Sequence, residues 1–204
     1  MNNTSKEFLV KQEEACKHSD TAYEFAKVNK EADIEKYQKA VCKDVYYAFM
    51  FAKYIKGADI KKCQEAACKS SCWAYSFARD IKGADIEKCQ EAACKDSEYA
   101  YKFVRDIKGA DIEKCQEAIC KNSTYAFLFV KYSKAKYRKY INIEYCQKAI
   151  CKNPYYAYWF ANDIKGADIT YCQKATYKDS YWAKRFAEEI PGADKENYKI
   201  YSLL

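Results

Sequence analysis

Twelve cysteines in a chain of 204 residues are the first groups to consider for chemistry, as disulfides, metal ligands or nucleophiles. The pairs Cys63/Cys68, Cys89/Cys94, Cys115/Cys120 and Cys146/Cys151 stand five residues apart. On a helix that spacing turns a side chain by about 140°, so the two members address different neighbours and do not grip one ion. His18 is the only histidine, which leaves the usual zinc ligand set unfilled, and no metal or cofactor is expected. A second pattern pairs cysteines of successive segments: 42 with 63, 68 with 89, 94 with 115, 120 with 146 and 151 with 172. On ideal parallel helices such partners differ in height by roughly 7 Å, which works against disulfide geometry. Reduced, small packing residues are therefore expected, with disulfides as the alternative. No Ser/His/Asp or Cys/His arrangement is supported by spacing, and there is no glycine-rich phosphate loop. His18 alone is a weak base, so no catalytic residue is assigned and an enzyme is not expected.

Cations beside aromatic rings are the second chemical pattern. Tyr23, Phe49, Tyr75, Tyr101, Phe127 and Tyr158 recur at matching positions, and Lys27, Lys53, Arg79, Arg105 and Lys131 follow four residues after the first five. Residues four apart share a helix face, so ring and cation together would suit stacking on bases or gripping a protein. The other reading wedges each ring between adjacent helices. The stripe fails in the last two segments, at Asn162, Lys184 and Glu188. Lys17, Lys43, Lys69, Lys95, Lys121, Lys152 and Lys178 form a further column, explained by helix-dipole compensation or by an anionic partner. The segment KYSKAKYRKY, residues 131–140, interleaves five cations with tyrosines. Lys131, Lys134, Lys136, Tyr137, Arg138 and Lys139 are candidate partner-binding residues there, together with Tyr75, Arg79, Tyr101, Arg105 and Phe127 on the stripe.

These residues are held in place by a repeat. All five glycines and all seven glutamines fall at one position each of a 26-residue unit, interrupted only by the insertion at 131–140. Such a unit cannot bury its own apolar face and must stack on its neighbours, the signature of an α-solenoid. The boundaries expected within one domain, 1–204, are a diverged unit 1–31, repeats 32–57, 58–83, 84–109, 110–140, 141–166 and 167–192, and a capping helix 193–204 with Tyr198, Ile200 and Tyr201. In the unit starting at Ala84, a helix capped by Asp85 runs to about Lys95 with Ile86, Cys89, Gln90, Ala93 and Cys94 inward. A second helix, capped by Asp96, turns Tyr99, Ala100, Phe103, Val104 and Ile107 inward and ends at Gly109 as its left-handed C′ residue. Asp44, Ser70, Asn122, Asn153 and Asp179 are the equivalent caps, and Pro154 sits at a first helical position. Two helices of about three turns per unit, in a right-handed superhelix, are expected. The buried glutamines need partners, and a ladder of bonds to the next unit is favoured over a row of amides reading a ligand.

Composition limits the partner classes. Charged residues at 32% and hydrophobic ones at 50% exclude a disordered chain, and no run approaches the roughly 20 apolar residues of a membrane span. The N-terminus lacks the pattern of a signal peptide, so a cytoplasmic location is expected. A net charge of +7 suits an anionic partner and is also an ordinary solubility charge.

The KGADI motif followed by paired YA and FA resembles a short tandem helical repeat of uncharacterised bacterial and phage proteins, and the architecture resembles HEAT and tetratricopeptide arrays. The resemblance covers nearly the whole chain and implies a non-enzymatic module that binds another protein, such as a phage-borne inhibitor of a host protein. Neither the HEAT nor the tetratricopeptide consensus is present, so their ligands do not carry over. The alternative expectation is a binder of RNA or DNA backbone that uses the basic aromatic stripe and the insert.

Overall fold

A computed structural model describes residues 3–29 and 33–196, and among these every regular element is helical. The described residues form fourteen α-helices, which after α1 alternate between ten and eight residues: α1 (Asn3–Ala15), α2 (Ser19–Val28), α3 (Ile34–Val41), α4 (Val45–Tyr54), α5 (Ile60–Ala67), α6 (Ser71–Asp80) and α7 (Ile86–Ala93). There follow α8 (Ser97–Asp106), α9 (Ile112–Ile119), α10 (Ser123–Tyr132), α11 (Ile143–Ile150), α12 (Pro154–Asp163), α13 (Ile169–Thr176) and α14 (Ser180–Glu189). The insert contains a 3₁₀ helix, Ala135–Tyr140. The fold is an all-α array of tandem helical hairpins. Most of the expected capping helix at 193–204 lies outside the described residues.

Backbone packing groups the chain into two compact units, residues 1–95 with 106–110, and residues 96–105 with 111–204. In a repeat array each hairpin is stabilised by its immediate neighbours and no single core spans the chain. Within the first unit α2 packs on α3, α4 on α5 and α6 on α7; within the second α10 packs on α11 and α12 on α13.

Each hairpin is built from the expected local chemistry. Asp33, Asp59, Asp85, Asp111, Asn142 and Asp168 cap the short helices, the Asp85 carboxylate accepting from the Lys88 N–H at 3.2 Å. Asp44, Asp96, Asn122, Asn153 and Asp179 cap the longer ones, and Pro154 occupies the start of α12. Ser70 and His18, which precede α6 and α2, are the exceptions, since neither side chain makes a capping bond. The hydroxyl one residue after Ser70, Ser71 Oγ, instead donates to the Ala92 carbonyl of the next hairpin at 2.9 Å.

Two expectations need correction. The short helices hold eight residues, not three turns, because Cys94 and Lys95 lie in a tightened turn whose Lys95 N–H reaches back only to the Ala92 carbonyl. The glycines do not follow the helix as C′ residues. Helix α6 stops at Asp80, Ile81 is extended and buried, and Ala84 N–H bonds the Ile81 carbonyl at 3.2 Å. Gly83, with φ of +85°, is thus the third residue of a β-turn that a positive φ requires. The apolar pull on Ile81 ends the helix before the glycine is reached.

The core is aromatic on the longer helices and small on the short ones. Phe51, Phe77, Phe103, Phe129, Phe160 and Phe186 are fully buried, as are Cys63, Cys89, Cys115, Cys146 and Cys172. Tyr37 stands in that cysteine column, fully buried and stacked on Phe25 with 5.4 Å between ring centroids. Its hydroxyl has no partner, and burial pushes its ionisation well above the ordinary phenol range. Tyr37→Phe removes an orphaned polar group without changing the ring, so urea denaturation should show stability raised by about 1 kcal/mol. An unchanged or lower midpoint would mean that the hydroxyl finds a partner in solution.

Candidate functional site

The glutamine column is a structural clamp. Gln64 Oε1 accepts from the Asp85 N–H at 2.9 Å while its Nε2 donates to the Asp85 carbonyl at 2.7 Å. Gln38 does the same to Asp59, Gln147 to Asp168 and Gln173 to Asp194. Gln116 Oε1 accepts from Asn142 N–H at 2.8 Å across the insertion. Each amide is buried and bonded to the residue that opens the next hairpin, so none of these five is presented to a ligand as the alternative reading required.

Ring and cation meet on the longer helices as the spacing implies. Lys53 lies 5.3 Å from the Phe49 centroid, Arg79 5.2 Å from Tyr75, Arg105 5.6 Å from Tyr101 and Lys131 5.2 Å from Phe127. The rings themselves are wedged inward: Tyr23, Phe49, Tyr75, Phe127 and Tyr158 are buried and Tyr101 is half-buried. Several cations also hold a carboxylate: Lys53 reaches Asp80 at 3.0 Å, Arg79 reaches Asp80 at 2.7 Å, and Lys131 reaches Asp163 at 2.8 Å. Where the stripe lapses at Asn162, Arg185 of α14 covers the Tyr158 ring at 4.8 Å and binds Glu189 at 2.8 Å. Sequence columns miss this substitution because the cation comes from a different helix and position.

Arg79 foremost, then Lys53, holds the Asp80 carboxyl down at about 2. That lies below the ordinary unfolded value of about 3.9. The stabilisation is therefore complete above about pH 4 and is lost as pH falls through the folded value. Urea midpoints measured from pH 6 to pH 2 should fall less steeply for Asp80→Asn than for the wild type. Parallel curves would mean that the pairing is too weak to couple to folding.

The lysine column lies among carboxylates. In the first unit, a cavity of about 830 Å³ between α5 and α7 is lined by Glu65, Cys68, Lys88, Glu91 and Lys95, and one of about 510 Å³ between α3 and α5 by Glu35, Lys39, Glu65 and Lys69. The interleaved signs break up a cationic track. Among the described residues, no cluster of three or more His, Cys, Asp and Glu side chains is placed to hold a metal.

The insert differs from the stripe. Lys134, Arg138 and Lys139 are exposed and, among the described residues, none is ion-paired. Lys134 Nζ donates to the Arg105 carbonyl at 3.4 Å, and Lys139 lies 4.7 Å from the Tyr140 ring centroid. Tyr137 is half-buried on the same 3₁₀ helix. Lys134, Arg138 and Lys139 are thus open to a partner, whereas Lys131 is tied to Asp163 and the Lys136 side chain lies outside the described residues.

An aromatic surface of α12 and α14 goes unnoticed in the sequence. Tyr155 and Tyr181 are 43% and 59% exposed. Tyr155 meets Trp182 at 5.1 Å, Tyr156 at 4.9 Å and Trp159 at 6.4 Å, and Tyr181 meets Trp182 at 4.9 Å. The Trp159 indole N–H is buried there with no acceptor. The rings form a patch on the second unit instead of a core, with both tryptophans half-buried.

Comparison with protein-family models, with curated proteins and with solved structures gives no significant match. The class stands on the fold itself, a helical repeat array, and no helix among the described residues is long and apolar enough to cross a membrane.

Proposed function

We propose that this chain is a non-enzymatic protein-binding module that docks its partner on the aromatic patch of α12 and α14. The supporting observation is the grouping of exposed Tyr155 and Tyr181 around half-buried Trp159 and Trp182. Tryptophan and tyrosine dominate the energetically decisive centres of protein interfaces, because they bring large area at little conformational cost. The finer form of the proposal, an inhibitor of a host protein carried by a phage or mobile element and acting in the cytoplasm, rests on the resemblance of the repeat alone.

The test is affinity capture from cell extract with the wild type and with Tyr155→Ser/Tyr181→Ser, two exposed positions whose change spares the core. Proteins held by the wild type should be lost or weakened at least tenfold in the variant, about 1.4 kcal/mol of binding free energy. Identical captured sets would overturn the assignment of the patch.

A second reading is favoured by the exposed cations Lys134, Arg138 and Lys139, none of them ion-paired among the described residues, which suit a nucleic-acid backbone. On that reading labelled RNA or DNA binds at low salt, the affinity falls steeply as salt rises, and changing Lys134, Lys136, Arg138 and Lys139 to alanine abolishes it. Absence of binding at low salt would remove this reading.

A further inference from the structure

Eleven of the twelve cysteines fall at two repeat positions, 16, 42, 68, 94, 120, 151 and 63, 89, 115, 146, 172. Within the two units their sulfurs meet. Cys68 Sγ lies 3.9 Å from Cys89 Sγ, Cys120 3.4 Å from Cys146, and Cys151 3.5 Å from Cys172. The expected height difference between partners does not keep them apart, because the first cysteine sits at the C-cap, where the chain leaves the helix and its side chain reaches the next hairpin. Tyr37 and Tyr177 break the columns at their ends, but from 42 to 172 every facing position in both is cysteine, which simple packing does not account for. The position just before the first cysteine is also fully buried, yet it is filled by Val41, Ala67, Ala93, Ile119, Ile150 and Thr176. Size at a buried site varies freely along this array while the facing sulfurs do not.

We propose that these pairs are modification sites, vicinal dithiols that a peroxide-class oxidant converts to disulfides stapling one hairpin to the next. A disulfide needs the sulfurs at about 2.05 Å, so they must approach by about 1.4 to 1.9 Å. Cys68 illustrates the chemistry, since it lines the open cavity beside Lys88 and Lys95 while Cys89 is fully buried. A hydrogen bond from the Cys89 thiol, ahead of the two lysines, favours the Cys68 thiolate against the opposing effects of burial and of the Asp85 carboxylate. The thiolate sulfur bonds one peroxide oxygen as the O–O bond breaks, and the departing hydroxide takes a proton to become water. Cys89 sulfur then attacks the resulting sulfenic acid, and its proton leaves with the displaced hydroxide as a second water. Two thiols and one hydrogen peroxide thus give one disulfide and two waters.

Cys151 and Cys172 give the cleanest readout, because trypsin releases them in the distinct single-cysteine peptides 149–152 and 166–174. Fully reduced whole chain is treated with hydrogen peroxide, quenched with catalase, blocked with N-ethylmaleimide and digested without reduction. The expected product is a linkage between these two peptides in monomeric protein, reversed by dithiothreitol, with Cys16 and Cys72 still alkylated. In Cys172→Ala the linkage disappears. Wild-type Cys151 and Cys172 both emerging alkylated, or linked to cysteines of non-adjacent repeats, would overturn the proposal. The wild-type map decides the matter even if the variant fails to fold.

Discussion

Replacing Phe77 by alanine is expected to lower folding stability by about 3–5 kcal/mol, because the ring is fully buried and the short neighbouring helices cannot collapse into the gap. Phe77 projects from α6 and meets the Phe49 ring at 6.4 Å in an edge-on arrangement, so its loss strips two successive hairpins of a shared contact. Helices of eight and ten residues have little stability of their own. Urea denaturation would report the loss, and hydrogen exchange would place it, with protection falling first in α4 to α7. A change under about 1.5 kcal/mol would mean that the site repacks and that the ring is not central to the hairpin stack.

The second large effect is expected from Gln64→Leu. Leucine is similar in size, so no large cavity opens. What is lost is the pair of bonds to the Asp85 N–H and carbonyl at 2.9 and 2.7 Å. Each orphaned group costs about 1–3 kcal/mol, giving about 2–4 kcal/mol for the partly buried pair. Gln64→Glu makes a sharper comparison, since a carboxylate accepts from the N–H but faces the carbonyl without a donor. Should leucine prove neutral, the clamp would be replaceable by packing alone.

Much of this arrangement is legible in the sequence, for a physical reason. A period of 26 residues repeats every local signal, so Asp85 as a cap, Phe103 as core and Gln64 as a buried amide are each read several times. The errors arise where a residue answers to something outside its own unit. Gly83 looks like a helix terminator, but the burial of Ile81 breaks the helix earlier. Cys68 and Cys89 look staggered on ideal helices, yet Cys68 has already left its helix. The aromatic patch escapes for the opposite reason. Tyr155 and Tyr181 stand in a column shared with Asp20, Tyr46, Cys72, Glu98 and Thr124, and a reading built on what repeats passes over a position so variable. The basic insert was visible because it breaks the period outright.

The glutamine clamp has one more implication. It grips the next hairpin by the main chain, and the N–H it takes is offered alike by aspartate at 85 and by asparagine at 142, where Gln116 meets Asn142 despite five extra residues between repeats. A socket that recognises only main-chain atoms does not distinguish its successor. Hairpins joined in this way are interchangeable parts, and a chain of this kind can be lengthened or shortened by whole units without any junction having to be redesigned.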